Sequence, residues 1–186
     1  MSKDYSVGFR NFKYCLVSKW GTVSPIALPG AMKISIKPKT TSRTVTARLD
    51  SGNVTERTET YGAGSTATLS IISLPDSFLT DVLGYIKGAD NVLIEGDQKI
   101  VHFSLLYETQ GLIEPTRHIL LDCVCSKPDF DVTTMSNNIG IDARTLSITC
   151  DPHIDSTTKK AYYHKSVKRS ENSTLYDNWF GLAVNA

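Results

Sequence analysis

The stretch Ser65–Tyr85, STATLSIISLPDSFLTDVLGY, decides the fold. Within it Ala67, Leu69 and Ile71 alternate with Thr66, Thr68 and Ser70, the period of a strand with one buried face. After Leu74-Pro75 the spacing changes, and Phe78, Leu79, Val82, Leu83 and Ile86 recur at helical intervals. One helix over about 76–86 is therefore expected, with Ser73 or Asp76 placed to cap its start. The rest of the chain reads as strands and turns, so the apolar stripe of that helix has only a sheet to lie on.

Upstream, Asn11–Trp20 reads as an opening strand and Leu28-Pro29-Gly30 as a break. Ile34 and Ile36 then form the apolar side of a second strand, which Pro38 is expected to end. The segment 40–61 differs in kind. It is rich in Thr, Arg and Glu around Asp50-Ser51-Gly52-Asn53, a strong turn signal, and has little to bury. A long polar hairpin should project there. Arg43, Arg48, Asp50, Glu56, Arg57 and Glu59 carry both signs along it, which suits docking on a neighbour with complementary charges.

Downstream, a short strand is expected at Val92–Ile94, and a half-buried one over Val101–Tyr107 with Val101, Phe103, Leu105 and Tyr107 on one face. His118–Cys125 follows, apolar on Ile119, Leu121, Cys123 and Cys125, with Asp129–Thr133 as a short continuation. In the next strand, Asp142–Cys150, Leu146, Ile148 and Cys150 share a face. The chain then turns polar and basic, and closes in a helical turn over 175–180 capped by Ser173 or Thr174. The expected fold is mainly β: an antiparallel β-sandwich with one packed α-helix, a projecting β-hairpin (40–61) and a C-terminal arm (152–186), all in a single domain over 1–186.

Composition narrows the function. The 186 residues are 40% hydrophobic and 21% charged with a net charge of +1, enough for one core but without the basic excess of a chain that grips phosphates. No run approaches the roughly 20 apolar residues that span a bilayer, and the first twenty residues lack the apolar core of a signal peptide. Folding in a cytoplasm, with Cys15, Cys123, Cys125 and Cys150 as buried reduced thiols, is the expectation.

No catalytic, cofactor-binding or metal-ligating set is expected. His118 and Cys123 fall on opposite faces of a regularly alternating strand, which defeats a thiol–imidazole pair. Cys123 and Cys125 with Cys150 or His153 lack the spacing of a zinc site. Gly62-Ala63-Gly64-Ser65 precedes a strand rather than a helix, so its glycines read as turn residues, not a phosphate loop. Lys159, Lys160, Lys165, Lys168 and Arg169 are interleaved with Tyr162, Tyr163 and His164 but flanked by Asp151, Asp155, Glu171 and Asp177, which favours a solvated or subunit-contacting arm over a nucleic-acid site.

These features fall in a recognisable order: Val7-Gly8-Phe9-Arg10-Asn11, Leu28-Pro29-Gly30-Ala31, Thr40 to Thr46, Ala67 to Ile72, Leu74-Pro75 to Leu83-Gly84, and Asn178-Trp179-Phe180. In that order the chain resembles the major tail (tail tube) proteins of long-tailed, non-contractile phages, especially those of Gram-positive hosts. The resemblance runs almost end to end. It implies a non-enzymatic virion subunit, assembled in the host cytoplasm into stacked hexameric rings. The lumen of such a tube holds the tape measure protein and conducts DNA without specific binding; tail terminator and tail-tip proteins would be further partners. The hairpin would contact the next ring, the helix would pack on the sheet, and Trp179 and Phe180 would pack the arm on its own body or a neighbour. Relatives often carry an Asp-rich stretch where this chain has Ala47-Arg48-Leu49-Asp50-Ser51-Gly52. The second reading is a monomeric β-sandwich module that binds carbohydrate on its C-terminal aromatic residues; only the tube subunit must self-associate.

Overall fold

The computed structural model describes residues 6–48, 54–97, 99–111, 114–128, 143–155 and 158–181. In chain order these form β1 (Ser6–Leu16), β2 (Ile26–Ala27), β3 (Ala31–Arg48), β4 (Val54–Ile71), α1 (Asp76–Asp81), β5 (Tyr85–Lys87), β6 (Leu93–Glu95), β7 (Phe103–Gly111), β8 (Pro115–Cys125), β9 (Arg144–Cys150), β10 (His153–Ile154), β11 (Ala161–Tyr162), β12 (His164–Lys168) and α2 (Ser173–Asn178). The chain is mainly β, its sheets are antiparallel, and the two α-helices are short.

One sheet runs in the order β2-β1-β7-β8-β9-β4-β3, with β12 pairing β8 beside this path. Its two ends, β2 and β3, are separated in sequence only by Leu28-Pro29-Gly30. A flat sheet of this width would put its edges about 29 Å apart, whereas so short a link reaches about 14 Å. The sheet therefore folds over on itself. Backbone hydrogen bonds sew the seam: Leu28 N–H donates to Phe12 O of β1, and Ile72 N–H, just past β4, donates to Gly30 O, each at 2.9 Å. Gly30 sits at φ +85°, and a Cβ there would press on the Ser73 backbone at 3.3 Å.

The inner face of the folded sheet holds the main core. Phe12 and Tyr14 of β1, Leu69 and Ile71 of β4, Phe103 and Leu105 of β7, Leu120 and Cys123 of β8, and Leu146 and Ile148 of β9 meet there. Helix α1 closes it. The Phe78 ring lies edge-on to Tyr14 at 5.0 Å and to Phe103 at 5.8 Å, and the Tyr14 hydroxyl donates to Asp81 Oδ2 at 3.1 Å. Phe78, Val82 and Leu83 are buried and Leu79 packs against them, as the helical spacing requires.

The helix is shorter than its spacing suggests. It stops at Asp81, Gly84 turns the chain at φ +76°, and Ile86 lies 59% exposed on β5, opposite Ile94 of β6. Its N-cap is Pro75, with no side-chain cap from Ser73 or Asp76. Other boundaries move as well. The opening strand is Ser6–Leu16, bulged between Arg10 and Lys13, and Val17–Lys19 forms a 3-10 turn. The expected strands around Val92, Val101 and Asp142 begin at Leu93, Phe103 and Arg144. The expected continuation at 129–133 lies outside the described residues.

The predicted 40–61 hairpin is the outer half of two continuous 18-residue strands. Pro38 does not end β3. As an edge strand, β3 tolerates a residue without an N–H, and the ladder absorbs it as a bulge between Pro38 and Thr40. Across from this bulge lie Gly62-Ala63-Gly64, inside β4 rather than in a turn. Gly64 sits at φ +103°, and a Cβ there would lie 2.3 Å from the Cys150 carbonyl oxygen. Gly64→Ala is accordingly expected to destabilise the protein by on the order of 3 kcal/mol, through backbone strain and the displaced β9. Urea unfolding would show this as a lower midpoint, while Gly62→Ala, whose Cβ meets nothing within 4 Å, should move it far less.

Candidate functional site

Strand β9 pairs β4 over Ser65–Ile71, so among the described residues, 54–64 of β4 pair with β3 alone. The paired ribbon extends past the sheet for about 30 Å. Arg43 lies opposite Glu59, Val45 opposite Arg57, Thr46 opposite Glu56 and Arg48 opposite Val54. Arg43 is exposed, and the Thr44 and Thr58 hydroxyls meet across the ribbon at 3.2 Å. For Arg48, Glu56, Arg57 and Glu59 only the backbone is described, and Asp50 with the rest of the expected turn lies outside the described residues. The other side of β3 has no strand partner among the described residues, and Lys33, Lys37, Pro38 and Lys39 are exposed along it. Lysine and proline are the residues that keep such an edge from indiscriminate pairing.

The outer face of β1, β7 and β8 carries a second apolar cluster, of Cys15, Leu106, Ile119, Leu121, Val167, Tyr176 and Trp179, with Trp20, Tyr162 and Phe180 packed on it. Helix α2 lies here. Its N-cap is Asn172, not Ser173 or Thr174; the Asn172 Oδ1 accepts from Leu175 N–H at 2.9 Å. Its other end is held by Arg117. That guanidinium lies 4.2 Å from the Tyr176 ring centre and 4.6 Å from that of Phe180, and donates to the Tyr176 and Asp177 carbonyls. A cation on the last carbonyls of a helix offsets their partial negative charge.

Beneath Arg117 lies Glu108, 1% exposed. Its carboxylate accepts from Arg117 Nε at 3.0 Å, Arg10 Nε at 2.6 Å and Asn11 Nδ2 at 3.3 Å. Burial alone would raise this carboxyl, but the hydrogen bonds from Arg117, Arg10 and Asn11, with the Arg10 charge, outweigh it and hold the group below its ordinary range. Trp179 is thus buried on the body of its own chain and Phe180 is half-buried beside it. With Tyr176 also buried, the C-terminal aromatic residues do not present the open platform that a carbohydrate site would use. The basic segment is likewise stitched in: β12 pairs β8, Lys165 covers the Tyr162 ring at 5.4 Å, and Lys168 reaches Glu114 at 3.9 Å.

The candidate catalytic groups do not converge. Asp122, at φ +47°, interrupts the alternation of β8, so that Leu120 and Cys123 both face the inner core while Ile119 and Leu121 face outward. His118 therefore shares the inner side with Cys123, correcting the expectation of opposite faces. Its ring is nonetheless engaged elsewhere, stacked between Tyr107 at 4.9 Å and His164 at 5.3 Å, with Nε2 2.9 Å from Thr109 Oγ1. Burial, and then the His164 imidazole, push His118 down to about 4, so it is neutral at pH 7. Cys123 faces Cys150, with the sulfurs 2.7 Å apart. His153 packs on Trp20, and no group of three metal-ligating side chains forms among the described residues.

No family model and no curated protein matches the chain. Among solved structures it is similar to a chain of the PVC sheath–tube complex of an extracellular contractile injection system in the extended state (13% identity, TM-score 0.39, covering 84% of this chain and 89% of that one). It is also similar to a chain of the sheath/tube terminator of the same system (14%, TM-score 0.39, 88% and 99%) and to one of the anti-feeding prophage tube-terminating cap (14%, TM-score 0.37, 90% and 95%). Likenesses this distant carry no argument about function, which rests on the chain's own residues.

Arg117→Ala should leave the inner core intact but release α2, shifting tryptophan emission to the red and lowering stability by about 3 kcal/mol. Glu108→Gln addresses pH. A depressed carboxyl contributes stability that is complete above its unfolded value, about 4.3, and is lost as pH falls through the lower folded value. The variant should be less stable at pH 7 and lose less stability between pH 5 and pH 3 in parallel urea titrations.

Proposed function

We propose that the chain is a non-enzymatic structural subunit of a phage tail tube, self-assembling into stacked hexameric rings. The observation that carries this reading is the ribbon of β3 and β4 beyond β9. An isolated two-stranded ribbon is marginal in water. One this long and polar, with charges of both signs, is best explained by a neighbouring subunit that receives it. The open edge of β3 supports the same reading. A head-to-tail contact through one edge generates a ring when its rotation closes, whereas a self-complementary pair stops at a dimer.

The finer assignment follows the motifs quoted above. The tube would belong to a non-contractile phage of a Gram-positive host, with a lumen that holds the tape measure protein and passes DNA. It would be completed by terminator and tip proteins and built in the host cytoplasm. The near-neutral charge suits a conduit through which a polyanion must slide without being held.

Negative-stain electron microscopy of the concentrated protein, with sedimentation alongside, is expected to show six-membered rings or hollow tubes. A chain that stays monomeric at every concentration and salt, and also in the presence of tail-tip complexes as initiators, would overturn the reading. Deletion of Arg48–Arg57 should leave a folded subunit, with an unchanged circular dichroism spectrum, that stacks poorly. Long tubes formed by that deletion would remove the inter-ring role of the ribbon.

A further inference from the structure

Where β8 ends its pairing with β12 and takes up β9, Cys123 stands directly opposite Cys150. The ladder on either side fixes what kind of pair this is. Asp151 N–H donates to Asp122 O at 3.0 Å and Ser126 N–H donates to Ser147 O at 3.3 Å, so 122/151 and 126/147 are hydrogen-bonded positions. Alternation makes 123/150 a non-hydrogen-bonded position, where opposed Cα atoms approach to about 4.5 Å and their side chains are closest. That separation lies within the span a disulfide bridges. The two sulfurs already point at each other, 2.7 Å apart, and both residues are fully buried.

We propose that Cys123 and Cys150 are a disulfide-forming pair, a covalent staple across the β8–β9 junction that closes when the chain folds in the presence of a small-molecule disulfide. The other two thiols are placed differently. Cys125 lies opposite Ile148, and Cys15 belongs to the outer cluster, near the Leu16 and Val23 carbonyls. The staple belongs to the single subunit and does not depend on the assembly reading.

The chemistry is thiol–disulfide exchange. The Cys150 thiolate attacks one sulfur of the small disulfide and expels one small thiolate, leaving a mixed disulfide on Cys150. The Cys123 thiol gives its proton to solvent, and its thiolate attacks the Cys150 sulfur and expels the second small thiolate. Two protein thiols lose two electrons in all, and the small disulfide gains them as two thiols. The same two exchanges close the link if Cys123 attacks first. Full burial means that the reagent meets the pair before β8 and β9 close, or when that junction opens locally.

The test is refolding of the full chain from denaturant with oxidised and reduced glutathione, then thiol counting in denaturant. The reduced protein has four free cysteines. The expected product titrates two, and its peptide map joins Cys123 to Cys150. Its melting temperature should rise on the order of 10 °C over that of the reduced form. The Cys15→Ala/Cys125→Ala double variant should still form the link, and Cys123→Ser should not. Four thiols remaining after refolding, or a link through Cys15 or Cys125, would overturn the proposal. The map of the unsubstituted chain decides this even if a cysteine variant fails to fold.

Discussion

Closure of the sheet by the three residues between β2 and β3 is the constraint from which the rest follows. Because the first and last strands of the sheet are neighbours in sequence, its two faces cannot be equivalent. One becomes an interior that must be filled, and the other becomes a convex wall. Phe78 and its neighbours on α1 fill the first, and the C-terminal segment covers part of the second. This is why β7 is buried on both faces from Phe103 to Glu108, although each face alternates cleanly with the other.

Much of this was legible in the residues. The alternation of Ala67, Leu69 and Ile71 and the switch to helical spacing after Pro75 are local periodicities, and the structure keeps both. What escaped depends on tertiary context. Ile86 kept the helical spacing, yet Gly84 ends the turn and starts a small hairpin. Pro38 should have ended a strand, but an edge position removed the penalty. On β8 a single left-handed residue, Asp122, shifted the inward positions, and the alternation assumed across it reversed the faces of residues on one side. Such an interruption carries only a weak mark in sequence, an aspartate among apolar residues.

The buried Glu108 was missed for a different reason. A glutamate following Leu105-Leu106-Tyr107 reads as the polar end of a strand. Its meaning appears only when the β7–β8 hairpin is paired, because Arg117 is its direct cross-strand partner. A charged residue at each of two opposed positions was a usable signal. The cysteines show the same dependence on pairing: Cys150 stands opposite Cys123 across the ladder, where periodicity along one strand does not reach.

Strand β4 is at once the inner rail of the projecting ribbon and a central strand of the core, and its backbone runs on through the bulge at the root. Any load on the tip therefore runs along β4 into its register with β9, from Ser65 opposite Cys150 to Ile71 opposite Arg144. Tension along a strand loads all the hydrogen bonds of such a ladder together, in shear, rather than opening them one at a time as peeling would. The ribbon is thus anchored as a beam built into a wall is anchored, and it can bear axial force that a hairpin hinged on a loop would not survive.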